Sequence, residues 1–245
     1  EQEVFERITT EGRDGKGVVL VFAAGNDYFT PATANPYAAH PGVITVSAST
    51  RIDDFACYSN YGSVIAIAGP SRGCFDGESG IATADYVGDE GYGPSDFTNS
   101  FGGTSAASPV VAGVVGLVLS ANPDLTAQQV RLIIQQTAEK ITADKNPWEA
   151  QFGVDLEEEF AYDENGFSEG FGYGRVNAAR AVALAIEGFS TVGGLCDDLC
   201  PACVGGRCAP PCEADADCPA AARCQAVDEA GAKGCVIPAP QVGDI

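Results

Sequence analysis

Three stretches of the chain are largely apolar and rich in β-branched side chains: VVLVFAA at residues 18–24, GVITVSAS at 42–49 and SVIAIAGP at 63–70. None shows the strict alternation of a half-solvated strand, and each runs into a turn-forming cluster, GND after the first. A strand covered on both faces requires such a run. Elsewhere the apolar positions take a helical spacing, at 1–11, 105–121, 126–140 and 175–187. One of these helices carries its own start signal: Thr126 and Gln129 frame TAQQ ahead of the apolar VRLII, the spacing of a capping box. Buried strands that share a segment with amphipathic helices predict an α/β fold, a mostly parallel sheet flanked by helices.

The pattern changes twice downstream. The stretch DLEEEFAYDENGFSEG at 155–170 is crowded with carboxylates and shows no core periodicity. It reads as a solvated insertion, with a calcium-binding loop as the alternative. After GYGRVNAARAVALAIEG the apolar periodicity stops. The predicted organisation is a domain at 1–188, a linker at 189–195, a cysteine-rich module at 196–235 and a flexible tail at 236–245. Cys196, Cys200, Cys203, Cys208, Cys212, Cys218, Cys224 and Cys235 all fall in that module, which marks it as disulfide-rich and the protein as secreted or extracellular. A zinc site on CPAC at 200–203 competes with this reading, but the module holds no histidine among its prolines, glycines and acids. Cys57 and Cys74 stand apart as a further candidate pair.

Composition removes several function classes. Apolar residues make up 45% of the 245 and charged residues 19%, enough for a sizeable core and against disorder. A net charge of −21 repels phosphate backbones and anionic headgroups, which excludes nucleic acid as a partner. The longest wholly apolar run, Pro109 to Leu119, is 11 residues, whereas a membrane span needs about 20, so no span is expected. The chain has no Met and opens on the charged segment EQEVFERITT, from which a missing natural N-terminus is expected. His40 is its only histidine, which restricts acid–base chemistry.

Candidate chemistry gathers at FGGTSAASPVV, residues 101–111. A helix starting near Ser105 leaves its first N–H groups unpaired with the positive end of the dipole behind them, a setting suited to a developing oxyanion. Gly102 and Gly103 permit a tight turn and close approach, and Pro109 is expected in the first turn, where its missing N–H is harmless. Taken alone, Thr104 or Ser105 reads equally as an N-cap. A second segment, GVVLVFAAGND, ends a buried strand in Ala-Ala-Gly-Asn and puts Asn26 at the carboxyl edge of the sheet, where open α/β sheets bind ligands.

Together AAGN and GTSAASPVVAG resemble the subtilisin-like serine proteases, the subtilase family. The similarity continues through YAAHPGVITVSA, FACYSNYG, SANPDLTAQQVR and GYGRVNAARAV, covering about residues 15–187 in consistent order. The resemblance implies a subtilisin-like sheet, incomplete in this chain, with Ser105 as nucleophile and Asn26, beside the Ser105 N–H, as oxyanion donor. It implies that Ala23, Ala24 and Gly25 line one wall of the pocket for the residue before the cut, and that Thr104 and Ser108 support the turn. Asn35 falls where dibasic-cutting relatives carry an aspartate at the pocket floor, which removes the reason to expect that preference. Asp27 reads either as a pocket-rim charge or as a solvated turn aspartate. The substrate is then a polypeptide; no cofactor is required, and calcium enters as a structural ion by analogy.

The chain departs from the family at one point. The family's H-G-T and D-[ST]-G motifs are absent, and His40 lies after the oxyanion asparagine, out of the family's order. The triad Asp and His are therefore expected on an upstream half of the same domain, truncated or separate, and this chain alone is expected to be inactive. A catalytically dead subtilase-fold binding protein, its function carried by the cysteine-rich module, is the competing reading. A lipase-like hydrolase would need G-x-S-x-G, and the context here is G-T-S-A-A.

Overall fold

Why the chain turns where it does is clearest at its first helix. In the computed structural model, which describes residues 2–28, 30–74, 79–143, 156–187 and four short strands between 202 and 236, α1 spans Gln2–Gly15. Its regular part ends at Gly12, which is extended, and Arg13 and Asp14 are left-handed at φ 53° and 57°. The Arg13 guanidinium compensates by donating to the carbonyls of Gly17, Pro123 and Leu125, tying this turn to the approach of a later helix. Phe5 of α1 packs against Phe22, Tyr37 and the edge of His40.

The three apolar runs form one sheet. Strands β1 (Leu20–Ala23), β2 (Val43–Ser49) and β3 (Ile65–Pro70) lie in the order β1-β2-β3, parallel throughout, with Ala23 beside Val46 and Val46 beside Ile67. The central β2 is buried along its whole length, which is why its sequence does not alternate. Helix α2, Thr104–Ala121, crosses all three strands and buries Val111, Val114, Val115 and Val118 against them. Its other face stays open: Leu117 is 54% exposed and Gly113 and Gly116 meet nothing. Helix α3, Ala127–Gln136, starts at the predicted capping box: the Thr126 N–H donates to Gln129 Oε1 at 2.8 Å and the Gln129 N–H to Thr126 Oγ1 at 3.2 Å.

Three expectations change, and one element was not anticipated. Because α2 begins at Thr104, Pro109 lies in its second turn, so the Ser105 carbonyl loses the donor four residues on. The same helix is long and apolar enough by composition to cross a membrane, since serines 108 and 120 interrupt the apolar run without ending the helix; here it is the helix that covers the sheet. The segment read as a solvated insertion is partly core. Leu156 and Phe160 sit one turn apart in LEEEF and pack with Phe55 and Phe171, while the glutamates between them face out. Finally, an antiparallel hairpin, β4 (Ile81–Ala84) with β5 (Phe97–Phe101), leads into the Ser105 turn. Its half-exposed, short strands leave no clear pattern, and Phe97, Tyr86, Val87 and Tyr92 stand out into solvent.

The chain divides into two units, Glu1–Ile186 and Glu187–Ile245. The second contains two antiparallel pairs, Ala202–Val204 with Arg207–Ala209 and Arg223–Ala226 with Lys233–Val236, in which Cys203 stands opposite Cys208 and Cys224 opposite Cys235. The predicted linker, the rest of the module including Cys196, Cys200, Cys212 and Cys218, and the tail beyond Val236 lie outside the described residues.

The closest approach between sheet and helix fixes the placement of the Ser105 turn. A Cβ on Gly69 of β3 would lie 2.8 Å from the Ala107 carbonyl oxygen and 3.1 Å from its Cβ. Gly69→Ala is therefore expected to push the first turns of α2 off the sheet and destabilise by about 1–3 kcal/mol. A thermal midpoint equal to that of the parent, measured on the folded protein, would contradict this contact.

Candidate active site

The carboxyl edge of the parallel sheet and the start of α2 meet through Asn26 and Thr104. Asn26 follows β1, and its Oδ1 accepts two hydrogen bonds, from the Thr104 N–H at 2.8 Å and from the Thr104 hydroxyl at 3.0 Å. The Thr104 hydroxyl in turn accepts from the Gly25 N–H at 3.2 Å. Thr104 is fully buried, so these bonds are shielded from water. Two glycines allow this closeness. Gly25, at φ 109°, would place a Cβ 2.4 Å from Asn60, and Gly103, at φ 82°, would place one 3.2 Å from Asn26 Nδ2.

Gly103 caps α2 without any side-chain bond, so the first amides must be satisfied otherwise. The Thr104 N–H goes to Asn26, and the Ala106 and Ala107 N–H groups go to the Gly103 carbonyl at 3.0 and 3.3 Å. The Ser105 N–H has no acceptor among the described residues, and neither has Asn26 Nδ2. Two uncommitted donors, one backbone and one amide, thus belong to adjacent, mutually bonded turns, and both Ser105 and Asn26 are exposed. Amide donors of this kind are chemically suited to a negatively charged oxygen.

The remaining predicted residues fall as follows. Ala23 ends β1, Ala24 is buried, and Gly25 follows them on the same edge. Asn35 closes a short 3₁₀ turn, Ala32–Ala34, and its Oδ1 accepts from the N–H groups of Tyr37 and Ala38. Asp27 accepts from Asn60 Nδ2 at 3.0 Å and is thus a bonded turn residue. Ser108 is half-buried in α2. His40 sits at the opposite edge of the sheet: it precedes the amino end of β2, its Nδ1 accepts from the Gly42 N–H, and the parallel register separates it from Asn26 by about 10 Å of strand.

Sequence reasoning missed the residues that brace this site. Tyr58 Oη accepts from the Gly103 N–H at 3.2 Å and donates to the Arg72 carbonyl at 2.5 Å, while the Ser71 hydroxyl donates to the Gly103 carbonyl at 2.8 Å. Asn60, 3% exposed, bonds Ala24 and Asp27. The disulfide Cys57–Cys74, with Cα atoms 6.1 Å apart, joins the loops of Tyr58 and Arg72. No local sequence signal marked them, since their partners lie far away in the chain.

Comparison with known proteins is consistent with this geometry. A family profile described as the subtilase family matches residues 2–174. A protein named calcium-dependent protease from Trichormus variabilis is 37% identical over 186 residues, 72% of this chain and 26% of its own length. Furin from Homo sapiens is 30% identical over 193 residues, 78% of this chain and 22% of its own. In structure, the serine protease of Aeromonas sobria superposes with a TM-score of 0.62 at 22% identity, over 75% of this chain and 39% of that one, a likeness of fold. The chain spans about a quarter of the length of the curated relatives it matches.

The Thr104 hydroxyl is the hinge of the arrangement. Thr104→Val keeps the shape but leaves the Gly25 N–H without an acceptor, and should cost about 1–3 kcal/mol and speed exchange of that amide. Thr104→Ser should retain the parent's exchange rate, read by hydrogen exchange on the folded protein.

Proposed function

Because the chain belongs to the subtilase family, we propose that it carries the nucleophile and oxyanion side of a serine endopeptidase active site. The pair of uncommitted donors, the Ser105 N–H and Asn26 Nδ2, supports this reading most directly. In the reaction, Ser105 Oγ attacks the scissile carbonyl as its proton passes to a base. The carbonyl oxygen becomes an oxyanion held by the two donors, and the amine leaves with that proton to give an acyl ester on Ser105. Water then attacks the ester, regenerating the hydroxyl and releasing the acid. Ala23, Ala24 and Gly25 form one wall of the pocket for the side chain before the cut, and Asn35 contributes no charge to it.

The base is not His40, which is committed to the amino edge of the sheet. We assign it, with its orienting aspartate, to an upstream half of the same domain. The open apolar face of α2 supports this assignment, because a helix that covers a sheet on one side and exposes Leu117, Gly113 and Gly116 on the other lacks a covering layer. The same half would extend the sheet beyond β1, its edge strand. The cysteines, eight of the ten crowded into 196–235, favour a secreted protein, and the family favours polypeptide substrates. Calcium, named for the Trichormus variabilis relative, would enter as a structural ion. Among the described residues no three carboxylate, histidine or cysteine groups cluster to hold a metal, and Asp163 is engaged by the N–H groups of Asn165 and Phe167 in its own turn.

Two outcomes are expected. In the complete protease, Ser105→Ala abolishes both peptide hydrolysis and labelling by a fluorophosphonate, while Asn26→Ala lowers kcat by about 10²–10³, the usual loss on removing one oxyanion donor. Unchanged hydrolysis in Ser105→Ala would show that Ser105 is not the nucleophile, whereas a complete protein with neither hydrolysis nor labelling at Ser105 would be the non-catalytic binding protein instead. The second outcome concerns assembly: this chain purified alone should bind a hydrophobic dye and lack a single cooperative unfolding transition, and adding the upstream half should restore one.

A further inference from the structure

One four-residue segment touches both arms of the candidate site. Cys57–Asn60 leaves the sheet beside β2, where the Ala48 N–H donates to the buried Ser59 hydroxyl at 3.1 Å and the Ala56 N–H to the Ala48 carbonyl at 3.0 Å. From that anchor Asn60 reaches the turn carrying Asn26. Its Nδ2 donates to the Ala24 carbonyl at 3.1 Å and to Asp27 Oδ2 at 3.0 Å, its Oδ1 accepts from the Asp27 N–H at 2.8 Å, and its own N–H donates to the Gly25 carbonyl at 3.0 Å. The residues on both sides of Asn26 are thereby fixed.

Tyr58 reaches the other way. Its hydroxyl takes the Gly103 N–H, while the Gly103 carbonyl is held by Ser71, whose N–H is anchored to the Ser49 carbonyl of β2 at 2.8 Å. Both peptide groups of the residue that opens the Thr104-Ser105 turn are thus tied to the same scaffold. The disulfide Cys57–Cys74 closes the frame between the Tyr58 loop and the Ser71-Arg72 loop.

We propose that Cys57–Asn60 is a strut that sets the separation of the two oxyanion donors, with Asn60 positioning Asn26 Nδ2 and Tyr58 positioning the Ser105 N–H. The proposal rests on the nucleophile reading of Ser105. Oxyanion stabilisation demands two donors at hydrogen-bond distance from one oxygen, and a displacement near 1 Å costs about 10²-fold in rate. Neither side chain needs to touch substrate to exert this effect. A structural brace alone would lower stability without changing how much the Asn26 amide contributes to catalysis.

The test is a set of steady-state measurements on the complete protease. Asn60→Ala and Tyr58→Phe are each expected to lower kcat by about tenfold with KM within about twofold, because the lost interaction belongs to the transition state. In an Asn26→Ala background, Asn60→Ala should lower kcat by less than about twofold more, since the donor it positions is gone. Thermal midpoints report folding, and Tyr58→Phe, which keeps the ring, carries the test if Asn60→Ala does not fold. Parent-like kcat in both variants, or a full multiplication of the Asn60 and Asn26 effects, overturns the strut. If instead Ser105→Ala retains hydrolysis, the nucleophile reading itself has failed, so the two failures are separable.

Discussion

A single acceptor, Asn26 Oδ1, joins a strand end to a helix start. By taking both the N–H and the hydroxyl of Thr104, it fixes which end of its own amide remains outward, and it does so at a buried threonine where the bonds are not diluted by water. The rest of the described site follows from that lock. Gly25 and Gly103 are glycines because the two turns must approach within a distance that a Cβ would block. Gly69 is a glycine because the same helix must lie close on β3. The Ser105 N–H, without an acceptor among the described residues, is what remains of a first turn whose other amides already have acceptors.

Periodicity made the sheet and its principal helices legible. The runs in β2 and β3 are continuous because those strands are covered, whereas β1, expected from the same composition to be buried on both faces, is only half-buried as an edge strand; the TAQQ box declared the start of α3 to the residue. Where reasoning failed, the failure was one of context. LEEEF looked like a charged surface because glutamates outnumber the two apolar residues, yet a spacing of four brings those two onto one helical face against Phe55 and Phe171. The β4–β5 hairpin escaped because it buries little, so its composition is not constrained by a core.

The site was legible in two of its parts and hidden in a third. Glycines and small hydroxyl residues beside an apolar helix, and an asparagine after a buried strand, each announce a turn that must come close to something. The braces carry no such mark. Tyr58 and Asn60 act through groups any loop might contain, and only their partners, Gly103 on one side and the Ala24–Asp27 turn on the other, give them meaning. Those partners are 45 and 36 residues away in sequence, so no local pattern encodes the pairing. The same holds for Cys57 and Cys74, which the sequence offers only as a candidate pair and the fold joins by position.

The donors themselves are neutral, and in a chain of net charge −21 that choice has a physical consequence. A cationic oxyanion stabiliser in so acidic a protein would be drawn toward neighbouring carboxylates, and its contribution would vary with salt. A backbone N–H and a side-chain amide have fixed dipoles, no titration and no counterion to release. Asp27, the carboxylate next to the amide, accepts from Asn60, so its charge is partly met within its own turn. Stabilisation by such dipoles depends on their distance and orientation, and on the proposed reading both are what the Thr104 lock and its supporting loop hold.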